Sequence, residues 1–155
     1  MNHGELAKQN FERGCNCAQA VFLAFSDVTG LDEATAMKVS ASFGGGMGKL
    51  REVCGAVSGM FMAAGMIYAD DHVPTPDAKA AHYEKIRALA TRFKEENGSY
   101  ICRELLAEVP VSKEAAPEER TEQYYKKRPC GELCRIAAQI LDELLAQEAQ
   151  SSESI

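Results

Sequence analysis

The sequence predicts an all-α fold: a single-domain bundle of five or six helices with a glycine-rich loop. Aromatic residues make up only 7% of the 155 residues and tryptophan is absent, whereas Ala, Leu, Glu, Met and Lys, which favour helix, fill most segments. Apolar residues recur at helical spacing, and no alternating run is long enough for a clear β-strand. We therefore predict one helical domain over residues 1–147 and a frayed tail over 148–155.

The first helices are separated by glycines. One helix is predicted over residues 5–11, breaks near Gly14 and resumes over 17–25, where apolar side chains repeat at i, i+3, i+4 and i+7. A second is predicted over 32–43 and ends at the glycines that follow. The remaining helices are predicted over 51–68, 77–96, 99–107 and 130–146.

Two segments between helices are polar. Residues 70–76 contain two prolines and form a predicted linker. Residues 108–128 form a polar excursion that leads directly into Cys130. We expect Tyr124 and Tyr125 in this excursion to cover any site that forms around that cysteine.

Charge and hydropathy exclude several classes of protein. The chain has 17 Lys and Arg against 23 Asp and Glu, a formal charge of −6, so no basic face is available for nucleic acid. No apolar run approaches the roughly 20 residues of a membrane helix, and the N-terminus lacks the pattern of a secretory leader. We expect a cytoplasmic protein that binds no nucleic acid, is not inserted in a membrane, and forms a homodimer through its weakly charged apolar helix faces.

Six cysteines are the main candidates for function. In a reducing compartment, clustered thiols serve metal binding or redox chemistry more often than structural disulfides. Four of them fall at predicted helix starts, where free N–H groups and the helix dipole lower a thiol's pKa. If these four starts converge, their thiolates could hold an iron–sulfur cluster or zinc. The four are Cys17, Cys54, Cys102 and Cys130.

The other two cysteines are weaker candidates for metal binding or redox chemistry. On a continuous helix Cys15 would point roughly 200° away from Cys17, which prevents both from binding one metal. Cys134 lies at i+4 from Cys130, on the same helix face, and could act as a resolving thiol or a spare ligand. No C-x-x-C occurs, so a thioredoxin-type dithiol and paired zinc ribbons find no local support.

Glycines precede the third predicted helix. Successive backbone N–H groups there could bind an anion, but a phosphate-binding loop requires glycine where Phe43 stands and Ser or Thr where Leu50 stands. We expect the glycines instead to let the backbone approach the cysteine site and donate to sulfur. A flexible turn between two helices is the alternative. The glycines concerned are Gly44, Gly45, Gly46, Gly48 and Gly55.

Several motifs resemble the C_GCAxxG_C_C redox-active protein family over about residues 11–145. They are NCAQAV at 16–21, FGGGMG at 43–48, EVCGAVSG at 52–59, CRELL at 102–106, and Cys130. The resemblance implies a redox role for the family cysteines, which are the four already singled out at helix starts. A similar module in split-Soret cytochromes implies an iron–sulfur centre, although this chain lacks haem-attachment motifs. Cys15 and Cys134 depart from the family pattern.

The expected function is electron transfer or redox sensing through a [2Fe–2S] or [4Fe–4S] cluster on the four cysteines, with an unidentified redox partner protein. We expect an electron carrier or sensor rather than a substrate-converting enzyme, because no Ser-His-Asp or paired-carboxylate arrangement stands out. One alternative is a metal-free thiol–disulfide protein in which Cys54 attacks and Cys130 or Cys134 resolves. Another is a structural zinc-binding helical module.

Overall fold

The computed structural model describes residues 2–109, 111–112 and 114–153. Over these residues the chain is all-α, which confirms the predicted fold class, and it has one isolated β-bridge, between Val53 and Ile101. Six helices have eight or more residues, as many as the bundle prediction allows, and three short helices raise the total in the described ranges to nine. They are α1 His3–Glu12, α2 Cys17–Ala24, α3 Ser26–Thr29, α4 Glu33–Ser40, α5 Gly55–Tyr68, α6 Pro76–Asn97, α7 Cys102–Leu105, α8 Glu122–Lys127 and α9 Cys130–Glu153.

The core lies between α1, α2, α5 and α9, which pack against one another, while α6 flanks α5 and α9. Its largest fully buried side chains include Phe22, Phe25, Met60, Phe93 and Leu141. Small residues on α5 allow close packing against α2, because a Cβ on Gly59 would lie 2.7 Å from the carbonyl oxygen of Ala18. The start of α5, next to Cys54, is thereby held close to Cys17 at the start of α2.

Local capping signals place most helix ends where the sequence predicts them. Asn16 and Gln19 form a reciprocal capping box, so α2 begins at Cys17. The Asp32 side chain accepts from the Thr35 N–H at the start of α4, and Gly98, with φ +88°, ends α6. A 3-10 turn over Ala41–Phe43 continues α4 to the predicted end.

Three predicted helices differ from the structure at their ends, and the shortest of them, predicted over 99–107, covers only Cys102–Leu105. The helix predicted over 51–68 begins at Gly55 rather than at residue 51, because Arg51 has left-handed backbone and Val53 pairs with Ile101 in the β-bridge. The last helix continues to Glu153, beyond the predicted end at 146. The predicted tail over 148–155 is therefore helical as far as Glu153, and residues 154–155 lie outside the described residues.

Residues 44–51 form a loop with left-handed backbone, called the left-handed loop below. Gly45, Gly46 and Gly48 have φ between +61° and +74°. Met47, Lys49 and Arg51 also have positive φ, from +62° to +67°, a conformation that costs a non-glycine residue about 1 kcal/mol or more. Backbone strain of this kind concentrates at functional sites, and this loop leads directly to Cys54.

No helix in the described ranges is long and apolar enough to cross a membrane.

Candidate functional site

The four cysteines at helix starts line one cavity of about 430 Å³. Cys54, Cys102 and Cys130 are buried and Cys17 is half-buried. All six cysteines are free thiols in this structure. The fold therefore brings together four side chains that lie up to 113 residues apart in the chain, from 17 to 130.

Each of the four thiols lies at or next to the start of a different helix. Cys17 follows the Asn16 cap and is the first residue of α2. Cys54 is the residue that precedes α5. Cys102 begins α7 and Cys130 begins α9. Free helical N–H groups are consequently concentrated around the cavity.

The β-bridge fixes Cys54 beside Cys102. The Cys54 N–H donates to the Tyr100 carbonyl at 2.8 Å, and the Cys102 N–H donates to the Glu52 carbonyl at 2.6 Å. These two bonds run across the bridge in opposite directions, as in an antiparallel pair. Two cysteines from separate segments are therefore held in register by backbone hydrogen bonds.

The predicted glycines line the same cavity. A Cβ on Gly46 would lie 2.6 Å from the Cβ of Cys102, and a Cβ on Gly55 would lie 3.0 Å from the Cβ of Cys17. Gly44 approaches the Asn16 side chain, where a Cβ would lie 2.4 Å away. Close approach of backbone to cysteine is thus the geometric reason for glycine at Gly46 and Gly55.

A cationic cluster, consisting of Lys49, Arg51 and Arg128 around Glu118, forms another part of the cavity wall. The Glu118 Oε1 atom lies 3.5 Å from Lys49 Nζ, 3.4 Å from Arg51 Nη2 and 3.3 Å from Arg128 Nη2. Burial disfavours the charged carboxylate, but N–H donors, including that of Ser112, and the Arg128 and Lys49 charges lower the pKa of Glu118 to about 2. Glu118 is therefore ionised at neutral pH, and three cations surround one anion.

The cationic cluster was not predicted from the sequence. Two positional signals were available, because Arg51 precedes Cys54 by three residues and Arg128 precedes Cys130 by two. In the structure Arg51 Nη1 donates to Cys102 Sγ at 3.6 Å. Glu118, which organises the cluster, lies in the polar excursion and carries no such signal.

Burial reverses the expected direction of the thiol pKa values. Burial raises the pKa of Cys54 to about 12, although the N–H groups of Val57 and Ala56 oppose it. Burial also raises the pKa of Cys102, against the opposing Arg51 guanidinium. The expectation that helix starts would lower the thiol pKa values is wrong here, because desolvation outweighs the helical N–H donors.

Cys17 lies between two other thiols. A hydrogen bond with Cys130 lowers the pKa of Cys17, but the hydrogen bond with Cys134, burial and the neighbouring thiols together raise it well above its usual range. The hydrogen bond with Cys17 and burial in turn raise the pKa of Cys130. All four cavity cysteines are therefore protonated at neutral pH in the metal-free protein.

The two remaining cysteines lie outside the cavity lining. Cys134 is fully buried, and its Sγ lies 3.8 Å from the Cys17 carbonyl oxygen. Cys15 is also buried, with its Sγ 3.9 Å from the Met37 Sδ. Cys134 thus contacts Cys17 without lining the cavity, whereas Cys15 packs as a small apolar residue.

The polar excursion covers part of the cavity, where Pro117, Glu118 and Tyr124 contribute to the lining. Arg120 fastens it to the bundle by donating to the Phe11 carbonyl at 2.7 Å and the Cys15 carbonyl at 2.9 Å. Tyr124 therefore occupies the covering position expected for it, whereas Tyr125, for which the same was expected, does not line the cavity and packs against Phe11 and Tyr124. Pro110 and Lys113 of this excursion lie outside the described residues.

As placed, no three Cys, His, Asp or Glu side chains of the described ranges are grouped closely enough to hold a single metal ion. The four cavity thiols instead surround an open volume. Among them, Cys17 is hydrogen-bonded to Cys130, and it is also hydrogen-bonded to Cys134 outside the cavity lining.

Comparison with known proteins places the chain in a family. A family model described as "Putative redox-active protein (C_GCAxxG_C_C)" matches residues 15–144, more than four fifths of the chain. No curated protein and no solved structure matches it. The matched range contains all six cysteines and the left-handed loop. The chain therefore belongs to the C_GCAxxG_C_C family.

Proposed function

We propose that the chain holds an iron–sulfur cluster, [2Fe–2S] or [4Fe–4S], on Cys17, Cys54, Cys102 and Cys130, and uses it for electron transfer or redox sensing. The observation that carries this proposal is the convergence of the four thiols on one cavity. Four cysteines are the usual ligand set of both cluster types. The family's redox character supports the same conclusion.

The shape of the site supports a cluster. The thiolates that hold a cluster are divided among several iron atoms, so they need to surround a volume rather than meet at one point. Zinc, in contrast, requires four ligand atoms about 2.0 to 2.3 Å from a single centre. The four thiols line a cavity of about 430 Å³, which suits the first arrangement.

The polar groups of the wall also suit an anionic cofactor. Cys54 precedes α5, so N–H groups of the first turn already face its sulfur. Arg51 Nε is buried and has no hydrogen-bond acceptor among the described residues, which is costly unless a further acceptor is supplied. Sulfur atoms of a thiolate-bound cluster are acceptors for such donors.

Assembly of the site requires the removal of protons. Burial keeps the thiols neutral in the metal-free protein, yet cysteine binds metal as the thiolate. Each ligating cysteine therefore releases a proton, and we expect cluster uptake to improve as pH rises. A bound cluster supplies one-electron transfer, while the chain positions the thiolates, limits water access and sets the surrounding charge.

A metal-free thiol–disulfide protein is less well supported by these residues. Such chemistry requires a thiolate that attacks a disulfide, whereas burial raises the pKa of Cys54 to about 12. The thiols in contact with each other involve Cys17 rather than Cys54. A structural zinc site is the third candidate, and metal analysis separates it from the other two.

The test is metal and sulfide analysis after purification without air. Iron, acid-labile sulfide, zinc and the visible spectrum are measured for the wild type, Cys54→Ser and Cys15→Ser. We expect iron and sulfide in the wild type and in Cys15→Ser, the matched buried cysteine outside the cavity, and their loss in Cys54→Ser.

Three outcomes would contradict the cluster. Absence of iron and sulfide from the wild type would overturn it. Stoichiometric zinc without a redox change would favour the structural zinc module. A metal-free protein whose free thiols change reversibly by two would favour dithiol chemistry.

A further inference from the structure

The cationic cluster places more positive than negative charge against the cavity. Lys49, Arg51 and Arg128 have side chains that are 11%, 7% and 6% exposed, and they share the single carboxylate of Glu118. Burial of a cation is costly unless an anion compensates it. Arg120 also lines the cavity, so four cations face one carboxylate there and the lining carries an excess of three positive charges.

Two of these cations act directly on cavity thiols. Arg51 Nη1 lies 3.6 Å from Cys102 Sγ as a donor. A hydrogen bond with Cys17 and burial raise the pKa of Cys130, while the Arg128 guanidinium opposes them. Guanidinium groups thus face two of the four proposed ligands and favour their thiolate forms.

The charge of the proposed cofactor is opposite in sign to this excess. Four thiolates around a cluster core of charge two plus carry two negative charges overall, and one-electron reduction adds a third. Positive charge nearby stabilises the reduced form more than the oxidised form, and the low dielectric of a buried site strengthens the effect. Cations at this distance therefore favour reduction.

We propose that Arg51 and Arg128 are positioning residues that raise the reduction potential of the cluster, and that Glu118 limits this increase by neutralising part of their charge. This inference rests on the proposed function, because it assigns to the cationic cluster the control of the same centre. Glu118 belongs to the polar excursion, so the segment that covers the cavity also adjusts its electrostatics.

The test is the midpoint potential of the reconstituted protein, measured by anaerobic titration with dithionite as the electron donor and followed in the visible spectrum. The variants are Arg51→Gln, which removes a positive charge, Arg51→Lys, which keeps it, and Glu118→Gln, which removes the negative charge. Arg92→Gln is the matched control, because Arg92 pairs with Glu143 and Glu96 on the surface and does not line the cavity.

We expect Arg51→Gln to lower the potential, Arg51→Lys to restore most of the loss, and Arg92→Gln to leave the potential unchanged. Glu118→Gln should raise it. The decisive result is that Arg51→Gln and Glu118→Gln shift the midpoint potential in opposite directions. A substitution that only loosened the site would not produce opposite shifts in these two variants.

Equal potentials in the wild type, Arg51→Gln and Glu118→Gln would overturn the inference and leave the cluster itself established. A shift of both variants in the same direction would also overturn it. If Arg51→Gln fails to fold, the Glu118→Gln variant alone tests the inference. A midpoint potential of Glu118→Gln that is not higher than that of the wild type would then refute it. A wild type that takes up neither iron nor sulfide overturns the proposed function and this inference together.

Discussion

Replacement of Gly46 by alanine tests how closely the left-handed loop approaches the cysteine site. Gly46 has φ +74°, and an added Cβ would lie 2.6 Å from the Cys102 Cβ, 2.8 Å from the Arg51 Cα and 2.8 Å from the Glu52 N atom. Backbone atoms and a Cβ cannot move aside by a simple change of rotamer. The loop must therefore shift, and Cys102 with it.

A matched control separates the loss of stability in Gly46→Ala into backbone strain and overpacking. Gly30 has φ +75° but no atom within 4 Å of an added Cβ, so Gly30→Ala incurs only the left-handed backbone penalty of about 1 kcal/mol. Gly46→Ala incurs the same penalty and, in addition, an overpacking cost of about 1 to 3 kcal/mol. We expect a total loss of about 2 to 4 kcal/mol in the free energy of unfolding.

Urea unfolding of the reduced, metal-free proteins at pH 7 measures both variants. Iron and sulfide content after reconstitution shows in parallel whether Cys102 is displaced, and we expect cluster loss in Gly46→Ala but not in Gly30→Ala. Equal stability losses in the two variants would refute the close approach between the loop and Cys102.

Two pH-dependent predictions concern stability. Burial lowers the pKa of His3, but hydrogen bonds and charge from Asp27 and Asp142 outweigh burial and raise the pKa above 6.5. The stabilisation by these ion pairs is therefore fully present below about pH 6.5 and is lost as the pH rises through the higher pKa of the folded state. We expect the free energy of unfolding, measured with urea, to be up to about 1 kcal/mol higher for the wild type than for His3→Gln at pH 6. This difference should disappear at pH 8.5. Burial raises the pKa of Cys54 from 9.0 to about 12, so the thiol loses its proton at a lower pH in the unfolded chain than in the folded protein. Above pH 9 the free energy of unfolding of the metal-free protein therefore falls by about 1.4 kcal/mol per pH unit for each such thiol. Cys54→Ser should lose less stability between pH 8 and pH 10 than the wild type, and parallel curves would contradict the buried neutral thiol.

Signals close together in the sequence account for most of the fold. The N-cap of Asn16 and the capping residue Asp32 place the starts of α2 and α4, and Asn97-Gly98 places the end of α6. Each of these interactions joins residues within about one helical turn, so the sequence carries the whole signal. The same locality explains why the cysteines could be assigned to helix starts.

Interactions between distant segments account for what the sequence did not predict. Residues 51–53 lie in a stretch of helical composition, yet Arg51 has left-handed backbone and Val53 pairs with Ile101 in the β-bridge, so α5 begins only at Gly55. The cationic cluster joins residues 49 and 51 to residues 118 and 128, a pairing that no spacing rule indicates. The convergence of the cysteines could be stated only as a condition, because it depends on how whole helices pack.

The thiol pKa values show how the local and distant effects compete. At Cys54 the helical N–H groups act in the direction that the sequence predicts, but burial by the surrounding bundle is the larger effect. The same burial that keeps the metal-free thiols neutral also strengthens every charge interaction once thiolates form. We therefore expect thiols with little reactivity before assembly and a cluster whose potential responds strongly to Arg51, and the two properties have one physical cause.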